Sequence, residues 1–359
     1  MKISFGEIPV RISSFIPYPS SFYYGAEIFM LALLLITLLL SVSPAAFAQD
    51  AKLVAEGKKE GKVVIYGSME TDIFEGVQQA FEKKTGIKVD YWRAAGATVL
   101  DRAVSEKRAN KIGYDLVLNN AGPMEILLAE GALAKYDSPL AKNFPAEFQH
   151  PQLGPSYRMG IVGIVYNKSI ISPDKAPKTL EDLLKPEFKG KLAFPDPQRG
   201  AVAIMWPMSL YKLMRKDRAD NYLRDLAATR PVIVEGVLPA AERVTTGETP
   251  VAITYLKYVI GFGKKGAPLD YVRQEKMLGH GHAIAMSNRA ARPNAAKAFL
   301  DFFYSDESLR VMAQFGEFVT RKGINPPLAD AEKIQVVEMD EPDASTMAEK
   351  RKEYRKIFQ

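Results

Sequence analysis

Cysteine is absent from the 359 residues, histidine occurs three times and tryptophan twice. No disulfide can staple this fold, so its stability must come from its core. No thiol is present to act as a nucleophile or to carry a lipid after a leader peptide. The chain contains no G-x-S-x-G, no H-E-x-x-H and no Walker loop, and three histidines give little material for a triad. These absences weigh against a hydrolase or a nucleotide-driven enzyme. Internal repeats, low-complexity segments and blocks of like charge are also missing, which excludes a solenoid and a disordered binding tail.

Long apolar runs are scarce, with one exception near the start. Residues 28–42 (IFMLALLLITLLLSV) are fifteen apolar or small residues, short for a membrane span, followed by the A-x-A site Ala46-Phe47-Ala48. That pattern predicts a secretory signal over residues 1–48, although its leading part is long and carries only Lys2 and Arg11 against Glu7 and Glu27. Removing it takes away two charges of each sign, so the net charge of +6 is unchanged. The basic residues are spread out and no aromatic-basic motif accompanies them, which favours steering of a small anion over nucleic-acid binding. A soluble monomer of a Gram-negative periplasm is the expectation.

At 359 residues the chain exceeds what one core usually organises, so two lobes are expected. After a charged helix at 51–61, the pattern alternates strand, loop and helix: strands at 62–66, 87–92 and 114–118, each followed by an apolar-periodic helix. Three such units in a row predict parallel strands with right-handed crossovers, an α/β fold. Loops leaving the carboxyl ends of such strands are where open α/β sheets bind ligands. They contain Ser68, Met69 and Glu70, then Arg93, Gly96, Ala97 and Thr98, then Asn119 and Asn120. Thr98 with Asp101 has capping-box spacing for the second of these helices.

A second α/β set follows a long apolar strand at 159–166 (MGIVGIVY). Within it, residues 180–200 (LEDLLKPEFKGKLAFPDPQRG) read as a short helix capped by Thr179 and Asp182, a basic turn, a buried strand and a loop. That loop brings Arg199 to a helix start at Gly200-Ala201, an anion-receptive arrangement, though a surface loop with a solvated arginine fits the same residues. Glu235 precedes another helix and is read either as a cap or as a contact for a cationic part of a ligand. His280-Gly281-His282 places two imidazoles on one face of a strand. With only His150 left elsewhere, a metal site would need carboxylates such as Glu70 or Glu235, and a hydrogen-bonded hinge histidine is the simpler reading.

Residues 162–197 (VGIVYNKSIISPDKAPKTLEDLLKPEFKGKLAFPDP) closely resemble the inter-lobe region of periplasmic solute-binding proteins of ABC transporters, family 1, in the branch that includes the ferric-iron binders. Gly247-Glu248 followed by Val251-Ala252-Ile253, and residues 294–316 (NAAKAFLDFFYSDESLRVMAQFG), are similar to the same family. The resemblance implies a two-lobed type II periplasmic-binding-protein fold, open twisted sheets with flanking helices joined by crossing hinge strands. Lobe 1 would hold 49–155 plus 270–359 and lobe 2 would hold 156–269, with closure by hinge motion and no covalent chemistry. The implied partners are a small-molecule ligand and an inner-membrane permease with its ATPase. No cofactor is implied.

Ferric members supply a histidine, a glutamate and two adjacent tyrosines. Here Met69 stands near the histidine position, Asn119-Asn120 at the glutamate, and the tyrosine pair falls on Lys257 and Tyr258, with Tyr255 one turn earlier. Hard trivalent iron wants anionic oxygen ligands, which thioether, amide and ammonium groups do not supply. The donor-rich remainder, Arg93, the helix start at 96–98, Asn119, Asn120, Arg199, Gly200, Ala201 and Lys257, suits a carboxylate, phosphonate or phosphate. The sequence therefore reads as a periplasmic importer component for a small anionic solute. The alternatives are a ferric or iron-chelate binder, a ligand sensor for a membrane receptor, and a secreted hydrolase.

Overall fold

The computed structural model describes residues 44–358. The expected leader therefore lies outside the described residues up to position 43, and its Ala46-Phe47-Ala48 site falls within the helix Pro44–Glu60. Residues Lys52–Gln359 form a compact unit that holds the sheet and its cores.

One sheet of twelve strands runs through that unit, and its main path is 88–93, 62–67, 116–120, 276–287, 158–167, 251–255, 192–195 and 232–234. Lys62–Gly67 lies between Lys88–Arg93 and Leu116–Asn120, parallel to both, as the three strand-loop-helix units predict. Leu192–Pro195 is parallel to Val251–Tyr255 on one side and to Val232–Val234 on the other. Two long strands join these parallel sets. Arg158–Asn167 and Lys276–Ser287 pair antiparallel, with His282 opposite Arg158 and His280 opposite Gly160.

Alternation along each strand builds a core on both faces, because successive side chains point to opposite sides. Val63 and Ile65 join Phe74, Phe81, Phe299 and Phe303 on one side, whereas Val64 and Tyr66 join Val117, Ala283 and Ala285 on the other. The same split recurs at the far end: Val162 and Ile164 pack with Trp206 and Tyr222, while Ile161 and Val165 pack with Ala252 and Leu256. All ten residues of Arg158–Asn167 are buried, Arg158 included. Each fully buried Phe, Ile or Val contributes roughly 1.5–3 kcal/mol, which is how a chain without disulfides holds together.

Local signals were resolved with some shifts. Thr179 and Asp182 do form a reciprocal cap, the Asp182 amide donating to Thr179 Oγ1 at 3.3 Å and the Thr179 amide to Asp182 Oδ2 at 3.1 Å. The segment they cap is two short 3-10 turns, Glu181–Leu184 and Pro186–Phe188, because Pro186 stops the run after one turn. Gly190 turns the chain with φ of 71°, a left-handed conformation that favours glycine. The expected capping box at Thr98 and Asp101 does not form. That helix, Gly96–Arg108, starts earlier with Ala95 at the N-cap, and its start is held from outside by Asn119. The helix that begins at Ala201 ends at Ser209, two residues after Pro207, and passes into a 3-10 turn.

Candidate functional site

The carboxyl ends of the first three strands converge on one side chain. Asn119, with no exposed surface, donates from Nδ2 to the Gly96 carbonyl at 2.9 Å and accepts on Oδ1 from Ser68 Oγ at 3.1 Å and from the Asn120 amide at 3.0 Å. Three loops are thereby tied together. The fit at Gly96 is close: a Cβ there would lie 2.7 Å from Asn119 Oδ1 and 3.0 Å from Asn120 Oδ1. Glycine is needed for approach rather than for an unusual φ. The helices starting at Thr71, Gly96 and Ala121 all lack a side-chain cap from their N-cap residues; in the first the Ile73 amide already donates to Asp72 Oδ1 at 3.0 Å, and in the third the Glu341 carboxylate stands against Gly122. Ala97 and Thr98 are exposed on the middle one, and Arg93 is exposed beside it with no ion pair among the described residues.

On the far side, Ala201–Ser209 also begins without a side-chain cap, after Gly200. Arg199 is exposed and pairs with Glu235 at 2.9 Å and with Asp196 at 3.4 Å, so the arginine and glutamate singled out separately in the sequence form one exposed pair. Such pairs contribute little to stability and yield readily to a ligand.

Between these two sets lies a buried charged hub. Lys257 Nζ reaches Glu70 Oε1 at 2.5 Å and Glu317 Oε1 at 3.1 Å. Arg158 pairs with the same Glu317 oxygen and stands 3.9 Å from Glu70 Oε2. Arg158 and Glu317 are almost wholly buried, with side-chain exposures of 3% and 2%. Tyr255 Oη is 2.6 Å from His280 Nε2, and the His280 and His282 rings are 4.7 Å apart. His280 Nδ1 is buried with no hydrogen-bond partner. Gly160 makes room for this pair, since a Cβ there would sit 2.6 Å from His280 Nε2.

The electrostatics of the hub follow from burial and charge. Burial would raise the Glu70 carboxyl, but Lys257 and Arg158 outweigh it and hold the group down at about 2. Burial pushes His280 down to about 3, with Arg158 and Lys257 adding to it, and His282 falls well below its usual range for the same reasons. Tyr255 and Tyr258 are pushed up, first by burial and then by neighbouring groups that include Glu70. The imidazoles are therefore neutral and the phenols keep their protons. Glu70 and Glu317 balance Arg158 and Lys257, and the tyrosines present O–H donors.

Of the residues expected at the site, Ser68, Gly96, Asn119 and Asn120 are thus brought together, as are Glu70, Tyr255, Lys257 and His280. Tyr258 lies beside them, its ring 6.0 Å from that of Tyr255. Met69 is placed differently: its side chain has no exposed surface and packs in the aromatic core, while its carbonyl accepts from Tyr91 Oη at 2.8 Å. His150 pairs with Glu125 at 2.9 Å and is not in the hub. Among the described residues no group of three or more histidine, aspartate or glutamate side chains is arranged to hold a metal ion. Arg158 and Glu317 were missed. The available signals were a lone arginine opening an otherwise apolar strand and a lone glutamate between Gly316 and Phe318. A wide groove of 1330 Å³ beside Lys168, Ile170, Lys178 and Lys191 contains none of these groups.

Parallel strand sets that present uncapped helix starts towards a hub on two linking strands define the α/β class of type II periplasmic binding proteins. The chain belongs to the bacterial extracellular solute-binding protein family, whose pattern matches residues 62–316. Proteins of this family deliver ligands to ABC permeases and are not enzymes.

Over 241 residues the chain is 31% identical to a putative 2-aminoethylphosphonate-binding periplasmic protein of Salmonella typhimurium, covering 64% of this chain and 68% of that one. It is 30% identical over 163 residues to the Fe(3+)-binding periplasmic protein of Serratia marcescens, covering 43% of this chain and 46% of that one. In fold it is similar to the periplasmic binding protein AfuA of Actinobacillus pleuropneumoniae, solved with fructose-6-phosphate, at 23% identity and a TM-score of 0.64 over 83% of this chain and 96% of that one. Iron-bound HitA of Pseudomonas aeruginosa gives 20% identity and a TM-score of 0.65 over 83% and 99% of the two chains.

Proposed function

We propose that this protein is the periplasmic component of an ABC importer that captures a small anionic solute of the carboxylate, phosphonate or phosphate type. The solute would sit between a lobe of residues 49–155 plus 270–359 and a lobe of residues 156–269, and closure would present it to the permease. The observation that carries this reading is the set of uncapped helix starts at Thr71, Gly96 and Ala201, with the exposed cations Arg93 and Arg199 beside two of them. Backbone N–H groups and guanidinium forks are the donors that oxyanions require. The phosphonate and sugar-phosphate relatives fit the same chemistry.

Ferric iron is the competing cargo, favoured by the Serratia relative and by the closeness of Tyr255, Tyr258 and His280. Iron would need phenolates, and burial in the hub works against removing those protons. A thermal-shift screen of the mature protein separates the two. A solute at one hundred times its Kd stabilises the native state by about 2.7 kcal/mol. Stabilisation by a carboxylate, phosphonate or phosphate is expected. Stabilisation by ferric salts alone, with a tyrosinate charge-transfer colour, would overturn the anion reading. Arg199→Ala should weaken solute binding by about 1.5–3 kcal/mol, the range for a hydrogen bond to a charged group, at unchanged stability. Unchanged affinity would remove Arg199 from the site.

A further inference from the structure

The two linking strands carry a row of polar side chains between two apolar cores. Along Lys276–Ser287, the side chains at 278, 280, 282 and 284 point to one face. Leu278 packs with Trp206 and Tyr222, and Ile284 packs with Phe74 and Phe299, so His280 and His282 lie on the stretch between those cores. The partner strand follows the same rule. Val162 is opposite Leu278, Gly160 opposite His280 and Arg158 opposite His282, which sets the arginine beside an imidazole on the same face. On the other side of His282 stands Asn120, its register partner in Leu116–Asn120. The row therefore runs into the loop set that Asn119 holds together.

This row is incomplete as a hydrogen-bonded structure. His280 and His282 are only 2% and 8% exposed, and each has a buried Nδ1 without a hydrogen-bond partner. Arg158 Nε and Glu70 Oε2 are buried and unpartnered as well. Buried polar atoms are nearly always partnered, so a group of such atoms on neighbouring side chains marks a place for a further polar group. Tyr255 keeps its hydroxyl proton at neutral pH and donates it to His280 Nε2 at 2.6 Å, which leaves the proton of the neutral imidazole on Nδ1. His280 Nδ1 and Arg158 Nε thus offer N–H donors and Glu70 Oε2 offers an acceptor, while His282 Nδ1 serves as either according to its tautomer. The formal charges around them already cancel, Arg158 and Lys257 against Glu70 and Glu317. A further anion here would face two carboxylates, and a cation would face two basic groups. The group that fits is neutral and both accepts and donates a hydrogen bond, which is the chemistry of a hydroxyl.

We propose that His280 and His282 read a hydroxyl group of the solute, so that the cargo is a hydroxylated organic oxyanion rather than a bare one. This rests on the anion reading above and adds the part of the solute that carries no charge. The oxyanion is held by the loops and helix starts, and the hydroxyl lies on the linking strands next to Asn120. There His280 Nδ1–H donates to the hydroxyl oxygen and Glu70 Oε2 accepts the hydroxyl proton, with His282 and Arg158 Nε closing the contact from the same face. An analogue without the hydroxyl leaves those buried groups unpaired, and that is the origin of the selectivity.

The test is calorimetric titration of the mature protein, His280→Phe and His280→Asn with glycerol 3-phosphate and propyl phosphate, probes that share a charge and a carbon skeleton and differ only in hydroxyl groups. The parent should bind the hydroxylated probe roughly ten-fold more tightly, the worth of one buried polar group satisfied rather than left unpaired. His280→Phe should lose most of that ratio. His280→Asn, whose amide N–H stands in for Nδ1–H, should keep part of it and provides a second reading if the phenylalanine variant folds poorly. A parent that binds both probes equally would overturn the hydroxyl reading and leave the anion reading standing; a hub satisfied by ordered water alone gives that result. A preference retained in full by both variants would overturn the role of the imidazole. No binding of either probe to the parent would overturn the hydroxyl and anion readings together.

Discussion

Arg158→Met is the perturbation that tests the hub most directly. The guanidinium is one of two cations on Glu317, and both partners of the Arg158–Glu317 pair are almost wholly buried. Deleting one partner of a buried pair typically costs 3–5 kcal/mol, because the other is left uncompensated. Here Lys257 stays at 3.1 Å from Glu317, so the lower end applies, about 3 kcal/mol. At about 2 °C per kcal/mol for a chain of this size, the midpoint of thermal unfolding should fall by about 6 °C. Urea denaturation should show a lower midpoint at an unchanged slope, since the same surface is exposed on unfolding. The double variant Arg158→Met/Glu317→Leu removes both charges and should recover to within about 1 kcal/mol of the parent, because well-packed apolar replacements of buried pairs are often neutral. A single variant within about 0.5 kcal/mol of the parent, the range of ordinary surface substitutions, would refute the account of the hub. So would a double variant less stable than the single one.

The remaining predictions concern pH and the loop tie. His280 and His282 are depressed in the folded state, so below the usual histidine value of 6.5 the unfolded chain takes up protons that the native state refuses. Folding stability should fall as pH drops from 6.5 towards about 3, and Glu70, held at about 2, extends the loss from 4.5 downwards. Glu341, raised to about 7, works in the opposite direction between that value and 4.5, so replacing it with glutamine should steepen the fall. Urea midpoints across this range check the sign, and a flat profile would contradict neutral buried imidazoles. Asn119→Ala removes the three hydrogen bonds that link Ser68, Gly96 and Asn120. It should cost about 2–3 kcal/mol at roughly 1 kcal/mol per bond and should weaken solute binding, both visible in one thermal-shift experiment with and without ligand.

Strand-loop-helix order was legible in the sequence because it depends on local period. The alternation in 87–92 and the helical spacing of Phe74, Val77 and Phe81 need no tertiary information to read. So too was the loop set, since Ser68, Gly96, Asn119 and Asn120 sit where any parallel α/β sheet delivers them. The pairing of charges was not legible. Glu70, Arg158, Lys257 and Glu317 come from four distant places in the chain: the pairing of Phe318–Val319 with Arg158–Asn167 sets Glu317 beside Arg158, and Lys257 joins Glu70 to Glu317. Thr98 misled for a related reason: its capping-box spacing is a local signal, and the buried Asn119 side chain fixed the helix start from across the sheet. The docking of the helix Ala344–Phe358 was not legible either, because Tyr354 and Phe358 meet partners such as Phe194 that lie more than a hundred positions earlier.

The hub also constrains how a solute can act. Lys257, at the start of the helix Lys257–Gly263, already links that helix to Glu70 in the loop after Lys62–Gly67, with its charges matched before any ligand arrives. A ligand shifts a conformational equilibrium only by its differential affinity for the two states. A solute held by the Gly96 helix start alone would bind each state equally and shift nothing. Contacts made by the same solute to Arg199 and the Ala201 helix start, available together with the first set in one state only, would supply that difference. Affinity lost equally on changing Arg93 or Arg199, with closure lost in both cases, is the behaviour such a two-sided site requires.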